Sequence, residues 1–297
     1  MSDRKFRFGV VAGFAGSLDD WTTQARWAQD AGYDVLLSPD TPNVASPWAA
    51  LSAAAAVTTT LRLGTFVLAT PTRTPGLIAW ETGSLDRMSG GRFELGLGAG
   101  RPDASAEAEL LGARWGSPGR RVRQVSETIT HVKRLFAEAT AAAQAAGHPG
   151  ADKYVRPEQQ PCPPIMIAGA GPSLLGVAAR QADIVAIGAA GNAGEEDIAD
   201  RITVVREQAG DRFDDLELSI NIWQAGDSVV PPWMARTFGL DTGAATDNQV
   251  VAVLNGSPDE IADVLLRRRD QLGLSYLTVN RIAMEAFAPV IERLAGK

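Results

Sequence analysis

Apolar and polar positions follow two rhythms along this chain, and the rhythms take turns from end to end. Short β-branched runs predict strands at Phe6–Phe14, Asp34–Ser38, Leu61–Ala69, Arg92–Leu97, Pro164–Ala168, Asp183–Ile187, Leu216–Trp223 and Ser275–Val279. Amphipathic stretches between them predict helices over Leu18–Ala31, Pro47–Thr59, Pro75–Met88, Arg120–Ala137, Ser173–Gln181, Glu195–Ala209, Asp259–Leu272 and Met284–Leu294, with a shorter piece at Ala104–Leu111. Start and stop signals agree with these bounds. Ser46-Pro47 and Ser257-Pro258-Asp259-Glu260 are helix starts, the second a capping box, and Gly32 and Gly90-Gly91 are stops. Along Asp259–Leu272, Ile261, Val264, Leu265 and Leu272 share one face, and Asp263 is placed to pair with Arg267 four residues on.

Eight strand–helix units with near-continuously apolar strands predict one (β/α)8 TIM barrel spanning residues 1–297. Two stretches exceed what the barrel needs, one after the fourth strand and one after the seventh. Residues 138–163, rich in small residues and then in proline, read as a surface excursion. Residues 226–256 read as a candidate lid, because long irregular loops at the strand-end face usually carry function.

Composition narrows the partners. A net charge of −7 and a pI near 5.0 give no basic footprint for nucleic acid or an anionic membrane. One cysteine, Cys162, forbids an internal disulfide framework, and two histidines, His131 and His148, are too few for a metal cluster. No apolar run reaches the roughly 18 residues of a membrane span. These features lead us to expect a soluble cytoplasmic protein with a small-molecule substrate and no metal.

Barrel function sits at the C-terminal ends of the strands. In chain order those ends carry Gly13-Phe14, Pro39-Asp40-Thr41, Thr65-Phe66-Val67, Gly98-Ala99-Gly100-Arg101, Gly169-Ala170-Gly171-Pro172, Gly188 and Trp223. The ring is rich in glycine and poor in titratable groups. It has no carboxylate pair suited to glycoside hydrolysis and no lysine suited to a Schiff base. Such a ring suits a large flat ligand that is held by backbone and carries the reactivity itself. Gly169–Pro172 leads into a helix N-terminus, either as an anion site or as a plain tight turn.

The run Leu85-Asp86-Arg87-Met88-Ser89-Gly90-Gly91-Arg92-Phe93-Glu94-Leu95-Gly96-Leu97-Gly98-Ala99-Gly100 resembles the bacterial luciferase-like monooxygenase superfamily. Leu61–Thr65 and Pro164–Gly169 stand in matching order and spacing, and the similarity extends over essentially the whole chain. It is nearest in flavour to the branch of actinobacterial oxidoreductases that use the deazaflavin coenzyme F420. The resemblance implies a ring bound at the barrel mouth by Phe14, Asp40, Thr65, Phe66, Val67, Gly98, Ala99, Gly100 and Arg101. Phosphate and tail would reach Gly169, Ala170, Gly171, Pro172 and Gly188. It also implies a non-prolyl cis peptide around Thr65-Phe66-Val67 and, as in many relatives, a homodimer built through outer helices.

The chain departs from the pattern where proton chemistry is expected. Many F420-using relatives carry Asp-His after the second strand; here the pair is Asp40-Thr41, and threonine cannot act as a general acid or base near neutrality. The loop after the third strand reads Thr72-Arg73-Thr74-Pro75 without a histidine, and Arg101 stands where several relatives have an acid. Asp40 would contact the ring edge or relay a proton, or else cap the turn before Pro42. Trp48 would stack on substrate or belong to the core, and Arg101 would clamp an anion or remain solvated. Asp40, Thr41 and Trp48 are the candidate catalytic residues, with substrate expected among Phe14, Trp48 and Trp223. Three activities follow: hydride transfer between F420 and a small organic substrate, an FMN-dependent monooxygenation, or ligand binding without turnover.

Overall fold

The computed structural model describes residues 4–146, 155–240 and 249–297. Its strands are β1 (Arg7–Val11), β2 (Val35–Ser38), β3 (Arg62–Thr65), β4 (Leu68–Ala69), β5 (Phe93–Gly98), β6 (Ile165–Gly169), β7 (Ile184–Ile187), β8 (Glu217–Ile222), β9 (Gln224–Ala225), β10 (Val253–Leu254) and β11 (Leu274–Asn280). Its helices are α1 (Leu18–Asp30), α2 (Pro47–Ala55), α3 (Pro75–Met88), α4 (Ser105–Leu110), α5 (Pro118–Ala146), α6 (Pro172–Gln181), α7 (Glu195–Ala209), α8 (Pro232–Phe238), α9 (Pro258–Leu272) and α10 (Met284–Leu294). The main sheet runs β3-β2-β1-β11-β8-β7-β6-β5-β4, and β3 also pairs with β5. With β3 and β4 as two halves of one strand, this is the eight-stranded parallel ring of a (β/α)8 barrel. Among the described residues no helix is long and apolar enough to cross a membrane.

Two compact units make up the chain. One comprises residues 1–12, 27–37 and 168–297. In it β1 lies between β2 and β11, with Val10 opposite both Leu36 and Val279. Phe8 packs on Phe287 of α10, and the Tyr33 hydroxyl donates to the Met284 carbonyl at 2.8 Å. The capping box of α9 forms as expected, with Ser257 N–H donating to Glu260 at 2.8 Å. Arg267, however, pairs with Glu195 at the start of α7 at 2.9 Å rather than with Asp263. A fixed bidentate partner on a neighbouring helix outcompetes a mobile pair on the same helix.

The other unit comprises residues 13–26 and 38–167. Helix α2 stops at Ala55, short of the expected Thr59, because the β-branched run Val57–Thr60 follows and the Thr58 hydroxyl bonds the Ala54 carbonyl at 2.8 Å. The expected third strand is interrupted between β3 and β4, where the Phe66–Val67 peptide is cis. Helix α5 overruns its expected end at Ala137 and takes up the first part of the expected excursion. Alanine is the strongest helix former, and Ala139 is buried along the same face as Phe136 and Val132. The remainder of that excursion at 147–154, with His148, and the centre of the candidate lid at 241–248 lie outside the described residues.

The run Leu85–Gly100 acts as a bracket in this unit. Asp86, fully buried, accepts from Gln159 N at 2.9 Å, Gln159 Nε2 at 2.6 Å and Phe93 N at 3.4 Å. Arg92 donates to the carbonyls of Ala55, Leu61 and Ser89, so one guanidinium ties the end of α2 to the start of β5. Gly96 is a close approach. A Cβ there would lie 1.8 Å from the Thr65 carbonyl oxygen, and the Thr65 hydroxyl both donates to Gly96 O at 2.8 Å and accepts from its N–H at 2.9 Å.

Candidate active site

The strand ends of residues 38–167 meet at an ion pair. Asp40, two residues beyond β2, takes Arg73 bidentately, with Arg73 Nη1 at 2.5 Å from Oδ2 and Nη2 at 2.8 Å from Oδ1. Ala69 N–H, at the end of β4, donates to the same Oδ2 at 3.1 Å. The carboxylate therefore joins the second strand end to the third, and its side chain is only 7% exposed against 14% for Arg73. Glu81, on the second turn of α3, lies within electrostatic reach of both. Burial pushes its carboxyl above the usual carboxylate range, Arg73 pulls it back and Asp40 adds to the rise. Its Oε2 is buried and has no hydrogen-bond partner.

The same unit also holds buried neutral donors. Trp48 at the start of α2 lies tilted on Phe93 with ring centroids 5.6 Å apart, and its Nε1 is buried without a partner. The hydroxyl of Ser38, at the end of β2, is likewise buried and unpartnered. At the end of β5 the chain turns through Gly100 at φ +77°, where a Cβ would sit 2.2 Å from the Trp115 ring. Trp115 is backed by Arg121, whose guanidinium lies 4.5 Å from the ring centroid and donates to Ala99 O at 3.0 Å. Trp115 Nε1 too is buried and unpartnered. Buried donors without acceptors are costly unless a ligand supplies what the protein does not.

In the unit containing residues 168–297, β6 runs through Gly169-Ala170-Gly171 into α6. Leu174 and Leu175 N–H both bond back to Gly171 O, which leaves the earliest part of the turn open, and a Cβ on Gly171 would touch nothing within 4 Å. Gly188 N–H closes on Gly169 O at 2.8 Å. A cleft of about 280 Å³ beside this turn is lined by Ala170, Pro172, Leu175, Asp197, Asp200, Arg201 and Val204. Arg201 donates to Asp197 O at 2.7 Å, and its Nε is buried without a partner. An open helix N-terminus beside a guanidinium can take a phosphate-sized anion. Further on, Trp223 lies tilted against Phe238 of α8, with ring centroids 4.3 Å apart.

A family model for luciferase-like monooxygenases matches residues 6–225. The chain belongs to this family. Among relatives of this luciferase-like protein, a 5,10-methylenetetrahydromethanopterin reductase of Archaeoglobus fulgidus is 32% identical over 165 residues, covering 54% of this chain and 47% of that protein. An F420-dependent glucose-6-phosphate dehydrogenase of Microbacterium testaceum is 34% identical over 161 residues, covering 53% of this chain and 43% of that one. The matches thus span under half the length of these curated relatives. An F420-dependent secondary alcohol dehydrogenase, solved with an F420–acetone adduct, superposes with a TM-score of 0.74 at 17% identity over 98% of both chains, which reports on fold.

Within the luciferase-like frame the expected site residues separate. Asp40, Trp48, Gly98, Ala99 and Gly100 lie at strand ends or on the helix just beyond one. The Thr41 hydroxyl donates to Asn43 Oδ1 at 2.7 Å, and Thr65 is engaged with Gly96. Phe14 stacks on Trp21 at 5.6 Å, with its carbonyl held by Ala45 N–H. Arg101 is half exposed and paired with Asp103 and Glu107 of the α4 segment. His131 lies on α5, with Nε2 3.8 Å from where a Cβ on Gly76 would sit. Sequence reasoning passed over Arg73, Glu81, Ser38 and Trp115. Arg73 and Trp115 left a signal, an arginine two residues before Pro75 and a tryptophan beside Gly116 in a short loop. Glu81 left none, since it reads as one more polar position on an outer helix. Among the described residues no group of three or more His, Cys, Asp or Glu could hold a metal.

Proposed function

We propose that this luciferase-like protein is an oxidoreductase that moves a hydride between F420 and a small organic substrate. The observation that carries the reading is the set of buried, unpartnered donors in the unit that also holds the Asp40–Arg73 pair, Ser38 Oγ, Trp48 Nε1 and Trp115 Nε1. Such a set suits a flat ligand rich in carbonyl acceptors, and one relative is named as F420-dependent. When bound, the deazaflavin supplies the hydride-carrying carbon.

The chain's own residues then have separable roles. Trp48 and Trp115 offer N–H donors and ring faces, and Ser38 a hydroxyl. The Gly98–Gly100 turn, tight against Trp115, lets backbone approach the ligand where a side chain would block it. Asp40, held on both oxygens, positions the loop after β4. In the unit containing residues 168–297, the Gly169–Pro172 turn and Arg201 offer a place for an anion. Burial of these groups keeps water from the reacting atoms.

A second reading, an FMN-dependent monooxygenase, draws on the family's description. We also propose a homodimer through α3, where Leu77, Trp80 and Met88 form an exposed apolar stripe and Trp80 is 62% exposed. Titration with oxidised F420 and with FMN, read by visible absorbance and fluorescence, separates the readings. Micromolar binding of F420 with much weaker FMN supports hydride transfer, and the reverse supports the monooxygenase. Binding without turnover of any substrate supports a non-catalytic member, and binding of neither overturns all three.

A further inference from the structure

Arg121, on the first turn of α5, is 7% exposed and meets no carboxylate among the described residues. Its Nε donates to Ala99 O at 3.0 Å and its Nη1 to Gly116 O at 3.1 Å, while Nη2 has no bond among the described residues. Asp103 and Glu107, in the loop between those two carbonyls, are taken by Arg101. Arg268, buried to the same degree, has Glu195 at 2.8 Å. Arg92 also does without an acid, yet its three nitrogens all have acceptors, the carbonyls of Ala55, Leu61 and Ser89 and the Thr58 hydroxyl. Trp115 lies against the Arg121 guanidinium, with its ring centroid 4.5 Å away, and closes on the Gly100 backbone just beyond β5. Its Nε1 is buried with no acceptor. We propose that Arg121 and Trp115 are the recognition site for a carboxylate on the substrate.

The physical case is one of counting charges and donors. A buried charge is costly unless it is paired, and a buried N–H is costly unless an acceptor meets it. The protein leaves one positive charge and two donors, Arg121 Nη2 and Trp115 Nε1, on two side chains in contact. A carboxylate brings one negative charge and two oxygens, so each oxygen takes one donor and the charge is cancelled. A phosphate dianion brings a third oxygen and a second charge for which neither residue has anything to offer. The indole face beside the guanidinium gives the carbon frame of the acid an apolar wall. Both residues are tied to the end of β5, Arg121 through Ala99 O and Trp115 through its contact with Gly100, so the acid is held at the strand-end face where barrel sites are built.

That a carboxylate binds here stands on the free protein; that it belongs to the substrate of hydride transfer rests on the coenzyme reading above. The probes are benzoate, its uncharged amide benzamide, and inorganic phosphate, titrated into the full chain labelled with nitrogen-15. The readout is the indole N–H resonance of Trp115, assigned by its loss in Trp115→Phe. Benzoate should move this resonance and bind about tenfold or more tighter than benzamide, and Arg121→Gln should remove that preference. Should Arg121→Gln fold poorly, Trp115→Phe keeps the ring and loses only the donor, and its benzoate affinity, followed by calorimetry, should fall by about three- to tenfold. Equal affinity for benzoate and benzamide, or a benzoate preference that survives in Arg121→Gln, overturns the proposal. Phosphate binding tighter than benzoate and lost in Arg121→Gln overturns the choice of carboxylate. In a second arm the benzoate titration is repeated with saturating F420 or FMN. Benzoate that still binds supports a substrate site, and benzoate displaced by the coenzyme gives the site to the coenzyme and overturns the substrate assignment. Failure of both coenzymes to bind overturns the coenzyme reading and the substrate assignment with it, while the benzoate comparison still decides whether Arg121 and Trp115 hold a carboxylate.

Discussion

Removing either member of the Asp40–Arg73 pair should destabilise the protein well beyond an ordinary surface ion pair. At a charge separation of about 4 Å and an effective dielectric constant near 20, the gross attraction is about 4 kcal/mol. Desolvation cancels part of it. With side chains 7% and 14% exposed, the orphaned partner cannot recover its hydration, and truncating one member of such a pair costs about 3–5 kcal/mol. Asp40→Ala also strands the Ala69 N–H, so Asp40→Asn, which keeps an acceptor, should cost about 1 kcal/mol less. We expect about 3 kcal/mol from Asp40→Ala, about 3 kcal/mol from Arg73→Ala and about 4 kcal/mol from the double variant, a coupling near 2 kcal/mol. Urea unfolding followed by tryptophan fluorescence measures this, and each kcal/mol corresponds to about 2 °C in melting temperature for a chain of this size. Glu81 adds a signature of its own. Without Asp40 it can ionise and take over the charge of Arg73, so Asp40→Ala should cost less at pH 8 than at pH 5. Additive single-variant costs, with a coupling under about 0.5 kcal/mol, would show that the two strand ends are not tied by this pair.

Two further outcomes are expected. Gly96→Ala places a methyl 1.8 Å from the Thr65 carbonyl, a backbone clash that no side-chain rotation relieves; we expect a loss of about 3 kcal/mol or more, seen as a lower urea midpoint and poor yield. Trp80→Glu puts a charge on the exposed α3 stripe, and light scattering should show the mass falling from dimer to monomer with the melting curve nearly unchanged; a wild type that is already monomeric refutes the dimer.

Much of the barrel is legible in the chain because burial enforces it. Ile184–Ile187 and Phe93–Gly98 are buried at every position, and a run of that kind has few uses other than a central parallel strand. The bounds of α3, Pro75 to Met88, follow from a capping threonine, a proline at the first position and two glycines beyond the end. What stays hidden depends on partners far away in sequence. Arg267 has an acid four residues before it and chooses one 72 residues away. Asp40 finds Arg73 across 33 residues. The cis bond at Phe66–Val67 leaves no trace in apolar periodicity, and it was expected only by resemblance.

The motif through which the family shows itself is therefore a poor guide to the reaction. Leu85–Gly100 is memorable as a sequence because Asp86, Arg92 and Gly96 each meet a demand that no other residue type meets in place, whether three converging donors, three carbonyls or a backbone in contact with backbone. All three demands come from closing the barrel. Arg101 is turned to the α4 acids, and Arg73 to Asp40. The run that marks the family thus reports on packing within residues 38–167, while the candidate site is built on a pair, Asp40 and Arg73, that lies outside that run.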